Sequence, residues 1–225
     1  MFALALAVLS QVVSPSAESK HPAHFLGDSK GVATQMSSAL QHLEKKQIVI
    51  QSEDDSAKIC EAGHAIYERQ PTVEWAYDGK ILTLKDLKTK SFYRGPVKRF
   101  RILEAVPLAT GQRLNPFTRS LLLRRTPLAE ALEDSTVKVM GSIAVNGVPC
   151  KILKATTSTS QVTFYLRSSD GLPVGTTSET LIGNKPVPGI TKSYSYSQVK
   201  EVIKSLALPK GFVLKPLPPL PERKL

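Results

Sequence analysis

Cys60, Cys150 and the four histidines, His21, His24, His42 and His64, are the side chains from which nucleophilic or metal chemistry would have to be assembled. Acyl transfer needs a Ser or Cys held against a His that a third polar group orients. No G-x-S-x-G elbow and no cysteine-protease signature occurs in the chain. Cys60 and His64 stand at an even spacing and would share one face if a single strand carried both, but each also suits an ordinary half-buried strand. His21-x-x-His24 has a spacing that can hold a transition metal, yet its polar setting reads better as a disordered tail. Gly175, Gly183 and Gly189 fall irregularly among Pro and Thr, as turn residues do, and not as a phosphate-cradling loop. The expectation is a binding protein: not an enzyme, with no cofactor and no metal.

The remaining groups bear on compartment and partner. Two cysteines are too few for a disulfide framework and lack a close pair for zinc or redox chemistry. They are either one bridge across a long loop, Cys60 to Cys150, or two separate buried apolar residues; both readings stand open. Thirty Lys and Arg against nineteen Asp and Glu give +11, which favours anionic partners. The nearest cationic cluster is Lys98-Arg99-Phe100-Arg101, with Arg113, Arg119, Arg124 and Arg125 further on. It reads as a solvated basic rim, or as a contact for an anionic membrane surface or a protein partner. Met1 to Ala17 is uncharged and runs from Phe2 to Leu9 as an apolar stretch before Ser14-Pro15-Ser16-Ala17. That is the pattern of a signal peptide over 1–17, without its positive leader, so export is expected and nucleic acid is not an expected partner. No other run approaches the ~18 apolar residues of a membrane-spanning helix.

A polar linker is expected over 18–29, a domain over 30–208, and an extended proline-rich tail over 209–225, which packs along an edge or stays loose. Val32, Met36, Ala39, Leu40 and Leu43 recur at spacings of three and four, which predicts an amphipathic helix from Gly31 to Lys46, capped at Asp28 or Ser29. The period then changes to two. Ile48 to Ile50, Ile59 to Tyr67, and Val73, Trp75 and Tyr77 read as consecutive strands. Asp78-Gly79 predicts a two-residue turn with both central residues at positive φ, so that Thr72 to Arg94 forms a three-stranded meander. Asn115-Pro116 and Thr126-Pro127 each announce a short helix. Val137 to Val145, an Asn146-Gly147 turn, Val148 to Ile152, Val162 to Leu166, an Asp170-Gly171 turn and the Tyr194, Tyr196 pair return to strands. The fold class expected is α+β, a long antiparallel sheet with few helices to cover it.

Such a sheet either packs on itself or leaves a concave apolar groove able to hold a lipid or acyl chain. Trp75, Tyr77, Leu82, Leu84, Phe92, Phe164 and Leu166 are the candidates to line that groove, or else plain core.

The order of elements, with Arg69, Pro71, Trp75, Asp78, Gly79, Lys80, Leu82 and Tyr93 spread across the meander, resembles the LolA-like and RseB-like periplasmic family. Val145 to Cys150, Val162 to Pro173, and Leu208-Pro209-Lys210-Gly211-Phe212 are similar to segments of its less characterised relatives. The resemblance implies a curled antiparallel sheet forming an unclosed half-barrel, with helices across its mouth and an apolar cavity. It implies carriage of lipid or of an acylated protein without cofactors, or a sensor and protein-interaction module whose cavity is plain core.

Overall fold

The structure is a computed structural model that describes residues 22–43, 46–52, 56–183 and 185–221. The expected signal peptide and the first part of the linker, His21 included, lie outside the described residues. The chain opens with β1 (His24–Phe25) and α1 (Ser29–Gln41), then runs through β2 (Lys46–Gln51), β3 (Ser56–Ala62), β4 (Ala65–Arg69), β5 (Val73–Tyr77), β6 (Ile81–Asp86) and β7 (Ser91–Pro96). Helices α2 (Ile102–Thr110) and α3 (Pro116–Leu122) follow. The second half comprises β8 (Thr136–Val145), β9 (Val148–Thr156), β10 (Ser160–Arg167), β11 (Pro173–Ile182), β12 (Lys185–Gln198) and β13 (Val213–Lys215).

These thirteen strands form one mixed sheet in the order β1-β8-β9-β10-β11-β12-β2-β3-β4-β5-β6-β7-β13. Its outer strands do not pair with each other, so the sheet is an unclosed half-barrel in an α+β fold. Each half is a local antiparallel meander. The two are stitched at β12 and β2, where Tyr194 lies opposite Ile50 and Tyr196 opposite Ile48. Both edges are covered by short parallel strands, β1 on β8 and β13 on β7, which blunts the templates that open edges present. His24, expected in a disordered tail, is therefore ordered in β1, with its amide donating to Ser135 O at 2.8 Å.

Several expected boundaries move for identifiable reasons. Helix α1 stops at Gln41, not Lys46, because Lys46 is already paired with Gln198 in the seam. Asp28 holds the N-cap position without a side-chain bond, and Ser29 Oγ instead donates to Val137 O at 3.0 Å, tying the helix to β8. Ile59 to Tyr67 is two strands, since Gly63, at φ +57°, and His64 turn the chain and leave Ala62 opposite Ala65. At the next turn Asp78 pairs with Ile81, so the central residues are Gly79 and Lys80, and of these only Gly79 has positive φ. Asp78 braces that turn, its Oδ1 accepting from Lys80 N at 2.8 Å and Ile81 N at 2.7 Å. Asn146 and Gly147, at φ 50° and 78°, turn as the sequence predicts. Asn115 caps α3, its Oδ1 accepting from Phe117 N at 2.9 Å. The Thr126-Pro127 signal yields only a 3₁₀ turn, Ala129–Ala131, and α2 is a further helix that contains Pro107.

The inner face of the sheet carries two apolar clusters. The first joins Met36 and Leu40 of α1 to Ile48, Ile59, Leu153, Phe164 and Leu166. The second joins Ile66, Val73, Trp75, Tyr77, Leu82, Leu84 and Tyr93 to Ile102, Ala105 and Val106 of α2 and Leu122 of α3. On the outer face, Cys60, Tyr67, Ala76 and Phe92 are covered by Val202 and Leu206, from the segment after β12. Leu206 N donates there to Thr83 Oγ1 at 2.9 Å.

Candidate functional site

Strand parity decides which of the expected lining residues meet. Trp75 lies opposite Leu84, and Tyr77 opposite Leu82, so these four alternate onto the inner face and share one compartment. Tyr93 joins them because it lies opposite Leu84; its neighbour Phe92 lies opposite Lys85 and points to the outer face, packing against Val202 and Leu206. Phe164 and Leu166 are on the inner face but in the α1 compartment, across the seam. The seven residues are thus divided among three clusters, and the Trp75 compartment is built from β4 to β7 rather than from the whole sheet.

Helices α2 and α3 form its roof. Ile102, Ala105 and Val106 are buried against it, and Leu122 contributes from the end of α3. Tyr77 Oη donates to Gly79 O at 2.7 Å and reaches Val97 O at 3.2 Å, fixing the phenol where the roof meets the β5–β6 turn. Burial raises the Tyr77 hydroxyl pKa above its ordinary value, so it acts as a donor.

The most unusual group here is one that the sequence reading passed over. Glu68 of β4 lies directly opposite Trp75 and is 0% exposed. Its Oε1 accepts from Gln70 Nε2 at 2.5 Å and from Asn115 N, at the cap of α3, at 3.2 Å. Its Oε2 has no hydrogen-bond partner, and neither do Trp75 Nε1 and Thr118 Oγ1, although both side chains lie near enough to favour the charged carboxylate. Burial dominates and pushes the Glu68 carboxyl up to about 7, against the pull of Gln70, Asn115, Thr118 and Trp75. A titratable group thus links the floor of the compartment to its lid helix. Period two would have placed Glu68 inward beside Ile66, had the hairpin at Gly63 been recognised.

Around the mouth, the basic cluster is partly committed to internal bonds. Arg99 Nη2 meets Glu61 at 2.5 Å and donates to Leu121 O at 2.7 Å, joining α3 to the end of β3. Arg101 pairs with Glu104 at 3.2 Å, and Arg125 with Glu130 at 3.1 Å. A cleft of about 410 Å³ opens between α1 and α3, with Leu40, Leu43 and Leu121 below and Arg99, Arg124 and Arg125 around it. Its apolar floor belongs to the α1 cluster, and at its rim Glu61 and Glu130 pair with Arg99 and Arg125.

Cys60 and Cys150 are both buried and unbridged, on strands separated in the sheet by four others, so the possible bridge is not formed. Burial raises the Cys60 thiol, which keeps it protonated and inert as a nucleophile. His64 stands in the β3–β4 turn, not beside Cys60 on one strand as the even spacing suggested. Among the described residues no group of three or more His, Cys, Asp or Glu is placed to hold a metal, and no helix is long and apolar enough to cross a membrane.

No family model and no curated protein sequence matches the chain. Solved structures similar to it include LprF from Mycobacterium bovis, at 10% identity and TM-score 0.47 over 79% of this chain and 95% of that one. They also include the Pseudomonas aeruginosa MucA/MucB complex, at 14% identity and TM-score 0.41 over 76% of this chain and 56% of the matched chain. A LolA superfamily protein from Nitrosomonas europaea aligns at 10% identity and TM-score 0.29 over 78% of this chain and 94% of that one.

Proposed function

We propose that the chain is an exported, non-enzymatic binding protein for lipid or for the acyl chains of a lipoprotein. The apolar chain would lie in the Trp75 compartment and its anionic headgroup against the basic rim. The observation that carries this reading is the construction of that compartment. Trp75, Leu82 and Leu84 line the inner face of an open sheet, and the cover is two short helices rather than a second sheet. Short helices held by a few contacts can shift to admit a ligand, which a sheet-on-sheet sandwich cannot do without breaking its core. Arg94, beside the basic rim at the edge between β7 and α2, supplies charge for a phosphate or carboxylate. The test is to purify the mature protein from a periplasmic preparation, extract it with organic solvent, and analyse the extract by mass spectrometry beside a Trp75→Asp variant. Stoichiometric acyl lipid that the variant lacks supports the reading; a lipid-free protein that also refuses added fatty acid overturns it.

A second reading, a protein-interaction module with the compartment as plain core, is favoured by the end of the β11–β12 hairpin. Ile182, Val187 and Ile190 are exposed along that hairpin at 65%, 42% and 57%, apolar surface of the kind that marks a protein contact. A pull-down in which Ile182→Asp and Ile190→Asp abolish capture of a partner, with lipid content unchanged, would favour it.

A further inference from the structure

The Trp75 compartment is closed along one side by the end of the chain itself. Strand β13 runs parallel to β7, with Val213, Leu214 and Lys215 opposite Ser91, Phe92 and Tyr93. From 216 to 221 the sequence is Pro-Leu-Pro-Pro-Leu-Pro, and a proline has no N–H with which to continue the ladder along β7. Other contacts hold the stretch in place. Leu217 and Leu220 pack against the Trp75 cluster, and Arg101 Nη2 donates to Pro221 O at 2.7 Å. The fit at β7 is close: a Cβ added at Gly95 would stand 3.0 Å from Leu217 Cδ1. About 380 Å³ of space remains beside the tail, bounded by Arg94, Val97 and Ala105 as well as Leu217 and Leu220.

We propose that this edge, between β7 and α2, is the port by which an acyl chain enters the Trp75 compartment, and that residues 216–221 are a removable strap whose two leucines occupy the ligand's place. The proposal rests on the lipid-binding reading. An extended proline-rich segment has no internal hydrogen bonds to break and is pre-ordered when released, so lifting it loses two apolar side-chain contacts and one guanidinium bond. Those contacts are what a run of methylenes can replace. Arg94 flanks the vacated edge and can take the carboxylate or phosphate of the same molecule. A strap that is mostly closed lowers apparent affinity by the fraction of molecules that are open, so ligand and strap compete directly.

The test uses the full chain, with 16-doxyl-stearate as probe and quenching of Trp75, the only tryptophan, as readout. Wild type is compared with a Leu217→Ser, Leu220→Ser double variant and with Arg101→Gln, which loosens the strap while leaving the apolar packing in place. The double variant should bind about tenfold more tightly if the strap is closed nine-tenths of the time, and Arg101→Gln should gain less. A synthetic peptide of residues 213–221 should weaken probe binding to the double variant. Equal affinity in wild type and both variants, all three quenched, overturns the strap while leaving lipid binding intact. No quenching in any of the three, with native near-UV circular dichroism, overturns lipid binding and the strap with it. If the double variant does not fold, unchanged affinity in Arg101→Gln is enough to overturn the proposal.

Discussion

The two inner compartments are closed by different means. On the β8–β12 side, the thirteen-residue helix α1 lies on the sheet with Met36 and Leu40 fully buried, and Ser29 anchors it to Val137. The polar groups nearby are satisfied: Thr176 and Tyr194 bond at 3.2 Å, and Tyr196 Oη donates to Pro173 O at 2.9 Å. On the β4–β7 side, the cover is assembled from two short helices and a proline-rich strap, over a buried carboxyl, Glu68, with Trp75 and Thr118 beside it. One half is closed by a single helix tied to the sheet; the other holds a buried titratable group under a cover with few backbone bonds. Within one sheet, the difference marks where opening costs least.

Truncating one side chain in each half should cost very different amounts of stability. Phe164→Ala in the α1 compartment should lose about 3–5 kcal/mol in urea unfolding, because a fully buried aromatic leaves a cavity. Leu220→Ala in the strap should lose no more than about 1 kcal/mol, since it is only partly buried and its site is adjustable. Comparable losses would mean that the strap is core and not a cover.

Glu68 gives the next effect. Its folded-state pKa, about 7, lies above its ordinary 4.5, so the folded protein holds the proton more tightly than the unfolded chain. The stability contributed is complete below pH 4.5 and is lost as pH rises to about 7, a term of at most about 3 kcal/mol. Glu68→Gln should abolish that slope and, above pH 7, unfold at higher urea than the wild type. Thermal or urea unfolding at pH 5, 6, 7 and 8 checks it; parallel pH profiles in the two proteins would show that Glu68 is not the buried titrating group. Asp78 and Asp170, held below their ordinary range, tilt stability the other way at more acidic pH and are present in both proteins.

Smaller effects sharpen the contrast in backbone fit. Gly171, at φ +76°, meets α1 so closely that an added Cβ would lie 2.8 Å from Gln35 Cγ. Gly171→Ala should cost about 2 kcal/mol by combined strain and displacement of α1. Asn115→Ala, which uncaps the lid helix α3, should cost about 1 kcal/mol and speed amide exchange in 116–122 more than anywhere in α1.

The elements legible in the sequence were those specified by neighbours in the chain. The β5–β7 meander, the Asn146-Gly147 turn and the Asn115-Pro116 cap depend on residues a few positions apart, and the structure has all three. The β12–β2 seam pairs residues from opposite ends of the chain and has no local signature; Pro186, Pro188 and Gly189 further disguised β12 as a turn region. Helix α2 was hidden by Pro107 inside its span and by its largely apolar composition. In the site, the Trp75 group was legible because parity within one meander fixes it. Phe92 was misplaced by one step of the same parity, and Phe164 and Leu166 share a face with Trp75 but not a compartment, which only tertiary packing decides. Glu68 needed the Gly63 turn to be read first.

Amide hydrogen exchange on the full chain, with and without excess oleate, tests the asymmetry most directly. Oleate should change protection in β5 to β7, in α2 and in β13, while α1 and β8 to β10 keep their rates. Equal change in both halves, or change confined to α1 and its strands, would contradict it.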